Sequence, residues 1–172
     1  MQALEGLEDA GPSRQRLWDR HASPISILLL GSLLLAAALG FTGGQPSPPR
    51  TADFGDVRLT VKTPAIIRNG EFFETGVTLT ADAPLDDAVI AVTPSLWHDM
   101  TVNTMIPAPA GESFADGYFR FSYGPLGAGE RLHVKIDGQI NPPLFAGTRG
   151  EIALFDGGRR VGAMPLSIKV LP

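Results

Sequence analysis

Two hydropathy patterns divide the chain. From His21 to Pro49 there is no Asp, Glu, Lys or Arg, and inside that stretch Ile25–Phe41 reads ISILLLGSLLLAAALGF, apolar on every side. After residue 55 the period becomes two. Val57, Leu59 and Val61 alternate with Arg58, Thr60 and Lys62, and Phe73, Val77 and Leu79 share one face of the run that follows. Alternation of this kind marks half-buried strands. Ala88–Val92 (AVIAV) is apolar throughout, as in a more deeply buried strand. YFRFSY at 118–123, RLHVKI at 131–136, EIALF at 151–155 and PLSIKV at 165–170 complete the set. Asn69-Gly70, Asp116-Gly117, Asp137-Gly138 and Asp156-Gly157-Gly158 read as turns between them, since glycine takes the positive φ that tight turns require. The last makes a hairpin of EIALF-DGG-RRVGAMPLSIKV. No stretch of this part keeps a helical period. The pattern predicts an all-β fold, an immunoglobulin-like antiparallel β-sandwich of roughly seven or eight strands, with a small closed barrel as the alternative.

The uncharged run predicts a helix long enough to cross a bilayer, because a lone span in hydrocarbon must satisfy its backbone internally and about 20 apolar residues suffice. The organisation expected is a short cytoplasmic tail over 1–21, a transmembrane helix over 22–43, a Pro/Gly linker over 44–54, and an extracytoplasmic β-sandwich over 55–172. Pro24 suits a first helical turn. Arg14, Arg16 and Arg20 precede the run, whereas Arg50 alone follows it closely. The positive-inside rule then orients the chain with its N-terminus in the cytoplasm, a single-pass protein of the inner (plasma) membrane. A cleaved signal peptide is the competing reading, with Ala38-Leu39-Gly40 as its small-x-small site. Ser32, Ala36 and Gly40 recur at helical spacing and form a small-residue stripe along which another span can approach, though an Ala-rich helix also produces such stripes by chance.

Composition narrows the function. The net charge is −4, and the acids and bases of residues 1–50 cancel, so the excess lies in the β part. No cluster of Lys and Arg offers counterion release, which argues against nucleic acid as a partner. The chain has no cysteine, which removes disulfides, thiolate metal sites and cysteine nucleophiles. Arg far outnumbers Lys and Ala, Gly and Pro are plentiful, a composition that reads as a bacterium with a GC-rich genome.

Two stretches carry a family resemblance. Phe72–Thr80 followed by Ala83–Val92 (APLDDAVIAV) resembles the middle strands of bacterial Ig-like modules. Gly124–Ile136 (GPLGAGERLHVKI) resembles their L-x-x-G-E turn entering a strand, a feature of CARDB-type and related cell-surface β-sandwiches. The likeness spans roughly residues 55–172 and implies a fold and a binding or scaffolding role. No catalytic residue comes with it.

Candidate chemistry is sparse. Trp97-His98-Asp99 sets an imidazole beside a carboxylate, but neighbours on a strand point to opposite faces, so Asp99 orients His98 only in a loop. His133 alternates with Leu132, Val134 and Ile136 and should face solvent. Asp86-Asp87 reads as a solvated turn. Nucleophile and zinc motifs are absent, so neither an enzyme nor a cofactor or metal site is expected. The unusual stretch is Thr93–Gly111, with Trp97, Met100, Val102, Met105 and Ile106 among three prolines. It reads either as a partner-binding patch or as one more strand with Trp97 in the core. A second candidate patch is the loop Gln139–Gly147, with Leu144 and Phe145 at its tip and Pro142-Pro143 able to take a cis bond. The expected function is a membrane-anchored, non-catalytic binding or accessory protein of the bacterial cell envelope. It would hold the bilayer through residues 22–43 and another membrane or envelope protein through these patches. The alternative is a periplasmic transport or assembly factor carrying a small ligand, metal or lipid.

Overall fold

The structure is a computed structural model that describes residues 17–42, 47–144 and 146–172, with the backbone alone for residues 17–23. Two units make up the chain, Met1–Leu39 and Gly40–Pro172, each considered by itself.

The uncharged run folds as helix α1 (Leu17–Ala38), shifted toward the N-terminus from the 22–43 expected. Pro24 therefore sits inside the helix and not in its first turn, where its missing N–H removes one rung of the i→i−4 ladder. The helix stops because the Leu39 N–H makes a last bond to the Leu35 carbonyl (2.9 Å) and Gly40 turns to φ 82°, the left-handed glycine of a helix C-terminus. The expected stripe thus loses Gly40, which lies beyond the helix, and keeps Ser32 and Ala36. The Ser32 hydroxyl is turned back onto the Leu28 carbonyl at 2.7 Å. Leucines 28, 29, 30, 33, 34 and 35 are 60–70% exposed. Among the described residues no helix is long and apolar enough to cross a membrane. After Arg20 the helix offers only His21–Ala38, a rise of about 27 Å against a hydrocarbon core of about 30 Å.

The second unit is all β. Its strands among the described residues are β1 (Arg50–Asp53), β2 (Val57–Lys62), β3 (Ile66–Arg68), β4 (Phe72–Ala81), β5 (Ala88–Val92), β6 (Met100–Ile106), β7 (Gly111–Ala115), β8 (Tyr118–Ser122), β9 (Arg131–Ile140), β10 (Thr148–Asp156) and β11 (Arg159–Leu171). One sheet runs β1-β2-β4-β9-β6 and the other β3-β11-β10-β5-β8-β7. All pairings are antiparallel except β3 with β11. Two separate sheets settle the architecture as a β-sandwich and remove the closed barrel.

Eleven strands exceed the number expected, and the additions share a cause. β1 falls where a linker was expected, and it is an exposed edge strand (RTAD) without apolar alternation. β7 (GESFA) is exposed along most of its length for the same reason. Asp116 (φ 55°) and Gly117 (φ 81°) make the two-residue turn that joins it to β8. Asp137-Gly138, by contrast, is no turn. It lies within β9, which pairs with β4 on one side and β6 on the other. Gly138 is needed for room, since a Cβ there would come within 2.8 Å of the Phe73 ring.

The core follows from the alternation. Val57, Leu59 and Val61 of β2, Val77, Leu79 and Ala81 of β4, and Val134 and Ile136 of β9 face Ile90, Val92, Ile152, Leu154, Met164 and Leu166 of the other sheet. Leu59, Leu79 and Leu154 are 0% exposed, and each such side chain contributes about 1.5–3 kcal/mol by leaving water. The resemblance-bearing turn fastens β9 to this core. Leu126 bridges Leu85, the Gly127 N–H donates to Glu130 Oε2 (2.8 Å), and the Gly129 N–H donates to the Ala81 carbonyl (2.7 Å). A second cluster of Ile67, Ile140, Leu144, Ile168 and Val170 closes one end. Leu144 is 4% exposed and part of that cluster, so it fills the core and is not free to meet a partner. Phe145 lies outside the described residues. Pro142 and Pro143 follow trans bonds, and the cis bond among the described residues is Ile106–Pro107.

Candidate functional site

The two sheets do not close along every side. β6 is the last strand of one and β7 the last of the other, and each pairs on one side alone. Between them lies a groove of about 500 Å³ lined by Trp97, Met100, Val102, Met105, Phe119 and Phe121, with Asn103, Thr104 and Glu112 at its polar margins.

Each lining residue has a local cause. The β5–β6 connection is anchored by Leu96, 3% exposed, and by Thr93 Oγ1, which accepts the Glu151 N–H at 3.0 Å. Trp97 follows at once and rests half-buried on the main core. In β6, Met100 and Val102 point inward by alternation, and a bulge then intervenes. Val102 pairs with Gly138 and Thr104 with Asp137, leaving Asn103 as the extra residue. Without it Thr104 would take the inward phase; with it Met105 does, opposite Ile136. Ile106 turns outward and is 58% exposed. MTVNTMI is thus a strand, as one of the two readings expected, and its inward residues are only partly covered.

The opposite wall is β8. Phe119, Phe121 and Tyr123 share one face, and an aromatic row results. Trp97 stacks on Phe119 (centroids 6.1 Å, 22°) and tilts against Phe121 (5.6 Å, 53°), and Phe119 meets Phe114 (5.3 Å, 57°). Exposure rises along the row, from 8% at Phe121 through 37% at Phe119 to 62% at Phe114. The Tyr123 hydroxyl points at the Met105 sulfur (3.8 Å). Burial, helped by the charge of Glu112, pushes that phenol up to about 12. The alternation of YFRFSY signals Phe119 and Phe121 as one face; nothing in the pattern of GESFA signals Phe114.

On the outer face of the same hairpin, Arg120 lies 4.3 Å over the Phe155 ring and ion-pairs Asp116 at 3.2 Å, while the Tyr118 hydroxyl donates to Glu151. That bond to a carboxylate, with some burial, raises the Tyr118 phenol above its ordinary value.

The remaining candidates stay apart from the groove. His98 Nδ1 and Asp99 Oδ2 are 2.9 Å apart in the β5–β6 turn, where Asp99 has φ 53°, but the side chains are 68% and 36% exposed. His133 is exposed on β9, its Nδ1 2.9 Å from Thr78 Oγ1. Among the described residues no three His, Asp or Glu side chains converge as a metal site. What the arrangement offers chemically is a half-exposed aromatic wall flanked by two unpaired strand edges.

No protein-family model matches the chain, and no curated protein matches it in sequence. Solved structures resemble it in fold. The CARDB domain of a Pyrococcus furiosus protein, in complex with di-metal ions, has 11% identity, covers 71% of this chain and 93% of that one, and gives a TM-score of 0.45. CaCohA2 from Clostridium acetobutylicum has 14% identity over 66% of this chain and 90% of that one, with a TM-score of 0.44. A non-cellulosomal cohesin from Archaeoglobus fulgidus has 11% identity over 62% and 86%, with a TM-score of 0.38. These are likenesses of fold at low sequence identity.

Proposed function

We propose that the protein is a membrane-anchored, non-catalytic binding protein of the bacterial cell envelope, working through protein contact at the open edge of its sandwich. The observation that carries this reading is the groove between β6 and β7–β8. Large aromatic and Met side chains stand half-exposed there beside unpaired backbone edges, which otherwise invite aggregation. An extended segment of another envelope protein would add to the free edge of β6 and seat its alternate side chains against Trp97 and Phe119. The anchor reading rests on the leucine-rich α1, whose apolar side chains are exposed all round, and on Leu39 and Phe41, which extend the apolar stretch past the helix. The arginines before it favour an N-terminus in the cytoplasm and a β domain outside.

The volume of the groove favours a second reading. About 500 Å³ lies within the ordinary range of small-ligand sites, so an apolar ligand or lipid carried by the domain is the alternative.

A photo-crosslinking residue placed at Phe114 of the full chain in native membranes tests both. The first reading expects one stoichiometric adduct with an envelope protein, lost in Trp97→Ala and absent when the crosslinker replaces Asp82. A lipid adduct with no protein adduct would transfer the groove to the second reading.

A further inference from the structure

The sandwich is electrically polarised along its strands. At one end lie the start of β1 (Arg50), the end of β2 (Lys62), the end of β3 (Arg68), the start of β10 (Arg149) and the end of β11 (Lys169). All five are exposed, and none has an ion-pair partner among the described residues. Arg50, Arg149 and Lys169 line one open cavity of about 480 Å³. Of the acids nearby, Glu71 accepts the Arg68 backbone N–H, Glu74 and Asp137 share Lys135, Asp116 pairs with Arg120 and Glu151 with Arg160, while Asp99 lies against the His98 ring. The far end is acidic, with Asp53, Asp56, Asp82, Asp86, Asp87, Glu130 and Asp156 against Arg58, Arg131 and Arg159.

Residues ahead of β1 also bond to this end. The Thr42 carbonyl accepts from Arg68 Nε (3.4 Å), and Ser47 Oγ accepts the Ala65 N–H (2.7 Å).

We infer that this basic end is a docking surface for an anionic phospholipid bilayer, and that the domain stands on the membrane with its acidic end outward. The inference rests on the anchored reading above. The chemistry is that of a polybasic surface near anionic headgroups, where each Lys or Arg shifts the docked-to-free ratio by about fivefold. The acidic end is repelled from the same surface, so the field orients the domain as well as attracting it. The attraction is short-ranged, since the Debye length is about 8 Å at physiological salt and about 3 Å at 1 M.

The test uses the full chain reconstituted into vesicles of neutral phosphatidylcholine, with or without phosphatidylglycerol. The chain has no cysteine, so a single Ser167→Cys or Asp82→Cys carries an environment-sensitive label at the basic or the acidic end. Retention in neutral vesicles after alkaline wash reads the anchor alone. Headgroup-depth quenching of the label reads docking alone. The expected result is quenching at 167 and not at 82, on anionic vesicles only, abolished at 1 M salt. Arg50→Ala, Arg149→Ala and Lys169→Ala together should lower the docked-to-free ratio about a hundredfold, while Arg50→Lys, Arg149→Lys and Lys169→Arg preserve it. Retention with equal quenching on neutral and anionic vesicles would overturn the docking surface and leave the anchor standing. Loss of the chain from neutral vesicles would overturn the anchor, with the quenching contrast still deciding the surface.

Discussion

The middle of the sandwich and its open edge are built from the same alternating pattern but put it to different ends. In the middle, each inward side chain of β2, β4 and β9 meets a partner from β5, β10 or β11, and exposure falls to 0% at Leu59, Leu79 and Leu154. At the edge, β6 and β8 also alternate, yet their inward residues face a groove. Phe119 keeps 37% of its surface, and Phe114 on neighbouring β7 keeps 62%. Area removed from water is what stabilises a fold, so the middle should hold stability and the edge should hold little. Large aromatics kept where they contribute little to folding are available to a partner.

The largest expected effect breaks the comparison if it fails. Leu79→Ala should cost about 2–5 kcal/mol, the range for a fully buried leucine that leaves a cavity. Phe114→Ala should cost under about 1 kcal/mol, because most of its surface is already wet. Urea unfolding of both variants, followed by far-UV circular dichroism, checks this. A Phe114→Ala cost equal to that of Leu79→Ala would make the edge part of the core and remove the reason to treat it as a binding surface.

How much of this contrast was legible in the sequence depends on what each residue is asked to do. Period two in VRLTVK and FFETGVTLTA marks buried faces, because a strand covered on one side must alternate. AVIAV reads as buried on both faces, and the small cluster of Val89, Ala91, Ala153 and Phe155 on the outer face explains why. Edge strands carry no such obligation, so RTAD and GESFA left no trace. Asp137-Gly138 misled because glycine serves two physical needs, positive φ and the absence of a Cβ, and composition cannot separate them. The groove was half visible. Trp97, Met100 and Met105 stood out as large apolar residues in a connection, but their shared wall with Phe119 and Phe121 depends on which strands end the two sheets. The bulge at Asn103, which turns Met105 inward, is equally a matter of pairing with β9. Leu144 looked like a loop tip because nothing local tells a tip from a plug.

A smaller effect sharpens the closed side. Asp156 fastens the β10–β11 hairpin to the β4–β5 loop: its Oδ1 accepts the N–H groups of Asp86 (2.8 Å) and Asp87 (3.1 Å), and its Oδ2 pairs with Arg159 (3.0 Å). The Asp87 N–H first, then Arg159, holds the carboxyl below its ordinary value of 3.8. A depressed carboxylate contributes stability that is present above the unfolded value and lost as pH falls through the folded one. Asp156→Asn should therefore cost about 1 kcal/mol at neutral pH, and the gap to wild type should narrow as pH drops below 3.8. Paired urea titrations at pH 7 and pH 3 measure it. An unchanged gap would assign the cost to packing and not to charge.

The smallest effect lies on the border between the two regions, at Tyr123. Its phenol sits against Met105 and is pushed from 10 to about 12, by burial first and then by Glu112. The folded state therefore keeps the proton where the unfolded chain has lost it. The sign follows: stability is unaffected below pH 10 and declines as pH rises from 10 toward 12. Tyr118, raised by its bond to Glu151, and Lys135, raised by Glu74 and Asp137, act in the same window. Tyr123→Phe should therefore reduce the alkaline decline without abolishing it. At pH 7 the variant should be nearly neutral, because the hydroxyl gives up only a long contact to sulfur. Thermal unfolding of both proteins between pH 8 and pH 12 decides it. If the alkaline decline is unaltered in Tyr123→Phe, the folded chain does not hold the proton on this phenol, and Tyr123 belongs with the open edge.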